Sequence, residues 1–202
     1  MPERVLAINP GSTSTKMAVF TRKEVEFELK VGIEEEHISK ENVFKEFPFR
    51  LQQIEEELKK HRIENIRIVI GRGGILKPLK SGAYPVCPSM IDDLKQAKYG
   101  NHASNLGGPL AAYFGEKYGV PSYIIDPVVV DEVSELARIS GVPQIERKSL
   151  SHALNIKATA RRVCEMHGYD LEKENFVVLH LGGGISVCAM EKGKNVDVNN
   201  AL

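Results

Sequence analysis

Apolar and polar residues alternate in three short segments at the start of the chain, over residues 4–9, 15–20 and about 24–32. A period of two places every second side chain on the same face of a sheet, which is typical of a half-buried β-strand. Only short connections separate these segments. The pattern therefore predicts that the chain opens with a three-stranded meander.

Helical periodicity follows the meander. Apolar residues recur three or four positions apart over residues 40–62, which predicts an amphipathic helix, and Pro48 marks a break or restart near its front. Four further segments are predicted to be helical, and the last of them ends at Gly168: residues 89–99, 105–118, 128–139 and 149–168.

Continuous apolar runs alternate with these helices. "NIRIVIGRGG" and "PSYIIDPVVV" are predicted to contain buried strands, and "NFVVLHLGGGISVCAM" to form a strand, a glycine turn and a strand. A meander followed by alternating helices and strands indicates an α/β fold whose sheet has mixed direction.

Two distant segments of the chain resemble one another. Residues 9–27 match residues 180–198 without a gap, at a shift of 171 positions, and Gly11 falls on Gly182. Similarity at long spacing indicates a duplicated unit, although any two hairpins share a period-two pattern. A duplication would make residues 1–175 one complete domain and residues 176–202 the opening of a second, incomplete copy.

Composition and charge narrow the class of protein. Of the 202 residues, 27 are Lys or Arg and 27 are Asp or Glu, so neither nucleic acid nor an anionic membrane is expected as a partner. No apolar run approaches the roughly 20 residues that span a bilayer, and the first residues do not resemble a signal peptide. Cys87, Cys164 and Cys188 lack metal-ligand spacing. A cytoplasmic protein is expected.

The two glycine-bearing bends carry more hydrogen-bond donors than a plain turn needs. Residues 9–16, "NPGSTSTK", supply an amide, four hydroxyls and an ammonium group, and residues 182–184 are three consecutive glycines. Such turns expose backbone N–H groups that bind anions, and glycine lets a phosphate approach the backbone. Neither segment fits a Walker A loop or a dinucleotide fingerprint. Together they predict a polyphosphate site formed from both bends.

Three single residues are candidates for the chemistry. Arg72 follows a buried strand between glycines, where a guanidinium could hold a carboxylate by two hydrogen bonds, although a surface turn arginine is the alternative. Asp126 ends the next strand and precedes a proline, so it could equally initiate a turn. Lys16 could neutralise phosphate or be an ordinary solvated lysine.

Six ordered motifs resemble the acetate/butyrate kinase family of the actin-like ATPase superfamily, most closely its butyrate and branched-chain fatty acid kinases. They span essentially the whole chain: "INPGSTSTK", "GRGG", "GNHASNLGGP", "IDPVVVDE", "KSLSHALN" and "VVLHLGGGISVCA". The resemblance implies RNase-H-like domains with a mixed sheet and helices on both faces. Family members are nearly twice as long, so the segments that hold a catalytic arginine, the adenosine pocket and a late metal-binding Glu are expected to be missing.

The resemblance also implies roles for individual residues. Arg72 and His102 would bind the acid, and Asp126, His152 and Arg72 would be catalytic, with Asn9 and Asp126 near Mg²⁺. The residues implied at the phosphates of ATP or ADP are Asn9, Ser12, Ser14, Lys16, His180, Gly182, Gly183 and Gly184.

Reversible phosphorylation of butyrate or a branched-chain fatty acid by ATP, with Mg²⁺, is the activity that the resemblance implies. The "GNHASNLGGP" segment departs from the proline-rich acetate-type segment, which favours a longer acyl chain, with acetate or propionate as the alternative. This chain alone would be inactive, or a nucleotide- or acyl-binding module without catalysis. Apolar strands of the incomplete domain would drive formation of homo-oligomers or other association.

Overall fold

The structure is a computed structural model that describes residues 3–22, 24–39, 41–182 and 184–199. Within these ranges the chain forms nine strands and four α-helices. The strands are β1 (Arg4–Pro10), β2 (Ser14–Thr21), β3 (Glu24–Gly32), β4 (Ile66–Gly71), β5 (Ala83–Pro85), β6 (Ser122–Ile125), β7 (Asn175–Leu181), β8 (Ile185–Glu191) and β9 (Lys194–Val198). The helices are α1 (Phe47–Lys60), α2 (Pro88–Lys95), α3 (Gly107–Tyr118) and α4 (Ala153–His167).

The chain packs as two compact units. The first comprises Met1–Leu76 and Ala83–Ile125, and the second comprises Lys77–Gly82 and Asp126–Leu202. The first unit holds a six-stranded sheet in the order β3-β2-β1-β4-β6-β5, in which β1, β4 and β6 are parallel and the other pairs are antiparallel. The predicted α/β class with a mixed sheet is confirmed.

Helices α1 and α3 supply the apolar residues that pack on this sheet. Ile54 and Leu58 from α1, and Leu110 and Phe114 from α3, belong to the buried cluster that also contains β-strand residues such as Leu6. Helix α3 begins close to the end of β4 because both backbones carry glycine there. This close contact fixes the carboxyl end of β4.

The glycines at this contact cannot be replaced without movement. A Cβ on Gly71 would lie 2.0 Å from the carbonyl oxygen of Gly107, and a Cβ on Gly107 would lie 1.9 Å from that of Arg72. Real side chains never approach a backbone oxygen so closely. Gly71 and Gly107 therefore permit close packing of strand against helix, and this contact positions the backbone of Arg72.

The second unit is built around the meander β7-β8-β9. Helix α4 covers one face of it, because Ile156 and Ala160 share a buried cluster with Cys188 and Met190 of β8. The opposite face is apolar and exposed; its residues and exposed fractions are Val177 (70%), Leu179 (56%), Leu181 (72%), Ile185 (46%) and Val187 (36%). Helix α4 thus covers one face of this meander, and the other face remains exposed.

The two meanders differ at their bends. Pro10 and Thr15 are the last paired residues before the first bend, so four residues lie between them. Leu181 and Ile185 are the last pair before the second bend, with three residues between them. The second bend is one residue shorter, and the gapless match of the two segments is therefore wrong beyond the bend.

Both meanders contain a shift in strand register, a β-bulge, at a corresponding position. The pairing of β2 with β3 shifts between Val19 and Phe20, and the pairing of β8 with β9 shifts between Ala189 and Met190. These positions are 170 residues apart, which is the spacing expected after one residue is lost from the second bend. A shared bulge supports the predicted duplication, while the domain boundary at residue 175 stays a prediction.

One predicted helix is wrong and one strand was not predicted. Residues 128–139 contain only a short 3-10 turn, Leu136–Arg138, instead of a helix. Val128, Val129 and Val130 are β-branched and buried, and Val130 forms a bridge with Leu79. The other predicted helices are present with shorter bounds. Strand β5 is only three residues long and contains a proline, which explains why it gave no periodic signal.

Pro48 lies in the first turn of α1, directly after a 3-10 turn over Val43–Glu46, so the predicted restart is confirmed. Among the described residues, no helix is long and apolar enough to cross a membrane.

Candidate functional site

The first bend is supported by a buried ion pair. Arg50 of α1 is 0% exposed and donates to Glu46, which is itself 3% exposed. The same guanidinium donates to the carbonyl oxygens of Gly11 (2.8 Å) and Ser14 (3.3 Å) and to the hydroxyl of Thr15 (3.1 Å). Burial lowers the pKa of Arg50, and Glu46 opposes that effect. These contacts fix the carbonyls of the bend from behind.

The opposite side of the bend presents polar groups. Asn9 and Lys16 are a cross-strand pair on β1 and β2, and both are exposed, as is Ser12. Ser14 differs from the other predicted phosphate residues, because its side chain is only 8% exposed and its carbonyl accepts from Gly11 N–H. The side chains of Asn9, Ser12 and Lys16 can therefore face a ligand, whereas that of Ser14 is buried.

Arg72 lies beside this group, at the carboxyl end of β4. Its backbone N–H donates to Ile8 (2.9 Å), and its Nη1 donates to the side-chain oxygen of Asn9 (3.3 Å). Burial lowers the pKa of Arg72. In contrast to Arg50, Arg72 has no carboxylate partner among the residues that the structure describes. A partly desolvated cation of this kind can bind an anionic ligand.

His102 is the second predicted acid-binding residue in this unit. Its Nδ1 accepts from the backbone N–H of Ser104 (3.2 Å), which caps the 3-10 turn Ala103–Leu106. Removal from water lowers the pKa of His102, and the positive charge of Arg72 lowers it further. Arg72 and His102 thus influence one another, and His102 is favoured as a neutral imidazole.

Asp126 is the first of the site residues in the second unit. It is 2% exposed and has a positive φ of 39°, a conformation that Asp tolerates better than most residues. Its Oδ1 accepts from the Ser81 hydroxyl (2.6 Å) and from the Gly82 N–H (2.8 Å), while Oδ2 lies 3.7 Å from Arg161. The carboxylate is held rigidly, with one oxygen fully engaged.

His152 and His180 form a stacked pair in the same unit. His152 directly precedes α4, and His180 lies near the end of β7. Their ring centroids are 3.8 Å apart and the ring planes differ by 9°. His152 Nδ1 contacts the hydroxyl of Ser186 (2.9 Å), and His180 Nδ1 contacts the amide nitrogen of Asn155 (2.8 Å).

The second bend follows His180 immediately. A Cβ on Gly182 would lie 3.4 Å from His180 Nε2, so the absence of a side chain leaves that side of the imidazole open. Gly184, which directly precedes β8, is half-buried. Gly183 was also predicted to contact phosphate, and it lies outside the described residues.

The structure thus brings the predicted residues together in two groups, one in each unit. Asn9, Lys16, Arg72 and His102 are neighbours in the first, and His152, His180 and Gly182 in the second. Sequence reasoning missed the residues that hold these groups. Asn105 is one example: it is fully buried, accepts from Ile75 N–H (2.9 Å) and donates to the Gly100 carbonyl (2.7 Å).

The other missed residues are Glu46, Arg50, Asn155, Arg161 and Ser186. Among these residues, the sequence could have predicted only the pair of Glu46 and Arg50. They are four residues apart on a predicted helical face that is otherwise rich in apolar residues. Ser186 and Asn155 gave no signal, because their partners are distant in the sequence.

Comparison with solved structures defines the class of fold. The chain is similar to the acetate kinase of Porphyromonas gingivalis with a TM-score of 0.71 and 18% identity, over 98% of this chain and 57% of that one. At this identity the likeness shows the fold alone. The chain has the fold of the acetate kinases.

Sequence relatives define the family. A probable butyrate kinase of Listeria monocytogenes is 51% identical over 201 residues, which are 98% of this chain and 57% of the relative. Butyrate kinase 2 of Clostridium acetobutylicum is 48% identical over 205 residues, or 100% of this chain and 58% of the relative. No family model matches the chain. The chain belongs to the acetate/butyrate kinase family and spans somewhat more than half the length of these relatives.

Proposed function

We propose that this protein transfers the γ-phosphoryl group of ATP to a short-chain carboxylate, reversibly, to form an acyl phosphate. Relatives named butyrate kinase, about half identical to the chain, support butyrate or a branched-chain acid as the acceptor. Acetate or propionate is the alternative acceptor. The activity is proposed for a protein of the relatives' length, because this chain matches only 57% of the first relative.

The guanidinium of Arg72, which forms no ion pair with the described carboxylates, is the observation that carries this proposal. A cation that has lost part of its hydration and has no described carboxylate partner is complementary to the carboxylate of the acid. Its planar fork can hold both oxygens, which orients one of them for attack on phosphorus. His102, whose pKa the same cation lowers, would contact the acid as a neutral group.

The remaining roles follow from the chemistry of phosphoryl transfer. A carboxylic acid with a pKa near 4 is already ionised at neutral pH, so no general base is needed to create the nucleophile. Catalysis then consists of positioning the reactants and stabilising charge. We assign phosphate contacts to Asn9, Ser12 and Lys16 in the first unit. In the second unit His152, His180 and the glycine bend would contact the phosphates, with His152 on the transferring group.

Mg²⁺ belongs to the proposal, and Asp126 fits it better than Asn9 does. Among the described residues, the charged neighbour of Asp126 Oδ2 is Arg161, at 3.7 Å, and this oxygen could hold a hydrated ion through water. Asn9 Oδ1 is an uncharged amide oxygen that already accepts from Arg72, so it attracts a cation less strongly than the Asp126 carboxylate does. The metal would neutralise phosphate charge. The one group of three close ligands among the described residues, Glu34, Glu36 and His37, includes no predicted site residue.

The proposal also covers the domains of the protein, its association and its location. We retain residues 1–175 and 176–202 as the parts of a duplicated architecture, which the shared bulge supports. The exposed apolar face of β7 and β8 supports association between copies of the isolated chain. Three free cysteines are compatible with the cytoplasm, where ATP is available.

Trapping the product with hydroxylamine tests the function. The chain would be assayed with ATP, Mg²⁺ and straight or branched acids of two to six carbons, alone and together with the separately produced remaining part of the Listeria relative. We expect butyryl hydroxamate only in the combined sample. Product from the chain alone at ordinary kinase rates would refute the need for the remaining part. Absence of hydroxamate from a complete protein with every acid would refute carboxylate kinase activity.

A nucleotide- or acyl-binding module without catalysis is the second candidate, because the chain spans only part of its relatives' length. Binding of ADP or butyrate by the chain, combined with no hydroxamate in the combined sample, would favour it.

A further inference from the structure

The stacked histidines of the second unit each have a hydrogen-bond partner at the same ring atom, Nδ1. A neutral imidazole carries its proton on either Nδ1 or Nε2, and the hydrogen bond at one nitrogen decides which. The neighbours of His152 and His180 therefore determine which nitrogen of each ring can donate a proton toward a ligand.

Ser186 is the neighbour of His152. Its side chain is fully buried, and its oxygen accepts from the backbone N–H of His152 (3.2 Å). A buried hydroxyl proton needs an acceptor. Among the described residues, the acceptor within reach of Ser186 Oγ is His152 Nδ1, at 2.9 Å. Donation by Ser186 leaves the ring proton of His152 on Nε2.

Asn155 has the same effect on His180 by a different route. The atom that contacts His180 Nδ1 is the amide nitrogen of Asn155, at 2.8 Å, and an amide nitrogen can only donate. His180 Nδ1 must therefore accept, which again leaves the ring proton on Nε2. Asn155 lies in the first turn of α4, on the helix that directly follows His152.

We propose that Ser186 and Asn155 are positioning residues that hold His152 and His180 as neutral imidazoles with their protons on Nε2. The two rings then present N–H donors side by side, from a stack with a spacing of 3.8 Å. Under the proposed function, on which this role rests, these donors would stabilise oxygens of the phosphoryl group.

Two-bond ¹H–¹⁵N correlation spectra of the ¹⁵N-histidine-labelled chain test the assignment, because they distinguish protonated from unprotonated ring nitrogens. We expect both His152 and His180 to show a protonated Nε2 and an unprotonated Nδ1 at neutral pH. A protonated Nδ1 in either ring would overturn the proposal for that ring.

Asn155→Asp tests the role of Asn155 directly, because an ionised carboxylate can accept a hydrogen bond but cannot donate one. The exposed substitution should move the proton of His180 onto Nδ1 and leave His152 unchanged. Asn175→Asp adds the same charge to an exposed position on β7 and should change neither tautomer. An unchanged His180 spectrum in Asn155→Asp, or an equal change in Asn175→Asp, would refute the role of Asn155.

Ser186→Ala tests the other ring. Loss of the hydroxyl should convert the single tautomer of His152 into an averaged signal, whereas His180 keeps its pattern. An unaltered His152 spectrum would refute the role of Ser186. Because these spectra are recorded without substrate, the tautomer assignment and the kinase activity can fail independently of one another.

Discussion

The two glycine-bearing bends close similar meanders, but different kinds of contact hold them. Behind the first bend, the buried Arg50–Glu46 pair fixes the backbone carbonyls of Gly11 and Ser14. The second bend is one residue shorter and follows a stacked pair of histidines. The first bend is thus fixed by a buried ion pair, whereas the described residues beside the second bend include a stacked pair of imidazoles.

Two arginines of the first unit show the same contrast. Arg50 is fully buried, and each of its nitrogens has an acceptor among the groups of the fold. Arg72 is partly buried, and among the residues that the structure describes its guanidinium donates only to the amide oxygen of Asn9. A buried cation whose hydrogen bonds are all satisfied by the protein has a structural role. A cation with unsatisfied donors is a candidate for binding a ligand.

Replacement of Arg50 should have the largest effect on stability. Arg50→Met leaves the Glu46 carboxylate buried without its partner, which typically costs about 3–5 kcal/mol in the free energy of unfolding. Denaturant unfolding followed by circular dichroism measures this. Lys45→Met, which breaks an exposed pair with Glu41, is the matched control and should change stability little.

The double variant Glu46→Leu/Arg50→Met sharpens the same experiment. Removing both charges should recover most of the lost stability, because no buried charge then lacks a partner. A cost of less than about 1 kcal/mol for Arg50→Met alone would show that the pair does not support the first unit.

The exposed apolar face of the second meander should control association of the chain. Val177→Lys/Leu179→Lys places charges on two positions that are 70% and 56% exposed. We expect light scattering to show association of the unmodified chain and a monomer for this variant. Lysine residues introduced on the exposed side of β3, where Glu26 and Glu28 already lie, should leave the association of the chain unchanged. A monomeric unmodified chain would contradict the prediction.

Removal of the imidazole at the second bend should cost much less than removal of Arg50. His180→Ala loses a ring stack and a hydrogen bond to an exposed amide, together about 1–2 kcal/mol. Unfolding by denaturant under the conditions used for Arg50→Met allows direct comparison. A loss equal to that of Arg50→Met would mean that both bends are held equally by the fold.

The smallest effect is expected from the titration of His102. Since its pKa is lowered in the folded protein, the unfolded chain binds a proton first as the pH falls below 6.5. Stability should therefore decrease from neutral pH downward through this window, and His102→Gln should remove that part of the decrease. NMR titration should place the midpoint of His102 below the ordinary value of a histidine side chain. Arg72→Gln should raise the midpoint, and an unchanged value would contradict their coupling.

The sequence predicted the meanders, the mixed sheet and most helices because each depends on local periodicity. Residues 128–139 were predicted incorrectly, since three valines can be buried in an irregular segment as well as in a helix. The match between residues 9–27 and 180–198 found the related meanders but missed the shorter bend. Strand register depends on pairing between distant residues, which a gapless comparison cannot detect.

The sequence predicted the residues of the candidate site that can face a ligand. It did not predict the residues that hold them in place. Arg72 and His180 stand in glycine-rich motifs at strand ends, which is a local signal. Ser186 acts on His152 across 34 positions of sequence, and Arg50 acts on Gly11 across 39. Such contacts exist only once the chain has folded.

Recognition of a carboxylate by Arg72 is the central claim, and a titration of the ¹⁵N-arginine-labelled chain with butyrate tests it most directly. We expect the Arg72 Nε–H resonance to shift with saturation as butyrate is added and to remain in place with butylamine or butanol, while the buried Arg50 resonance does not move. An Arg72 resonance that is indifferent to butyrate, or undiminished butyrate binding by Arg72→Gln, would contradict the account.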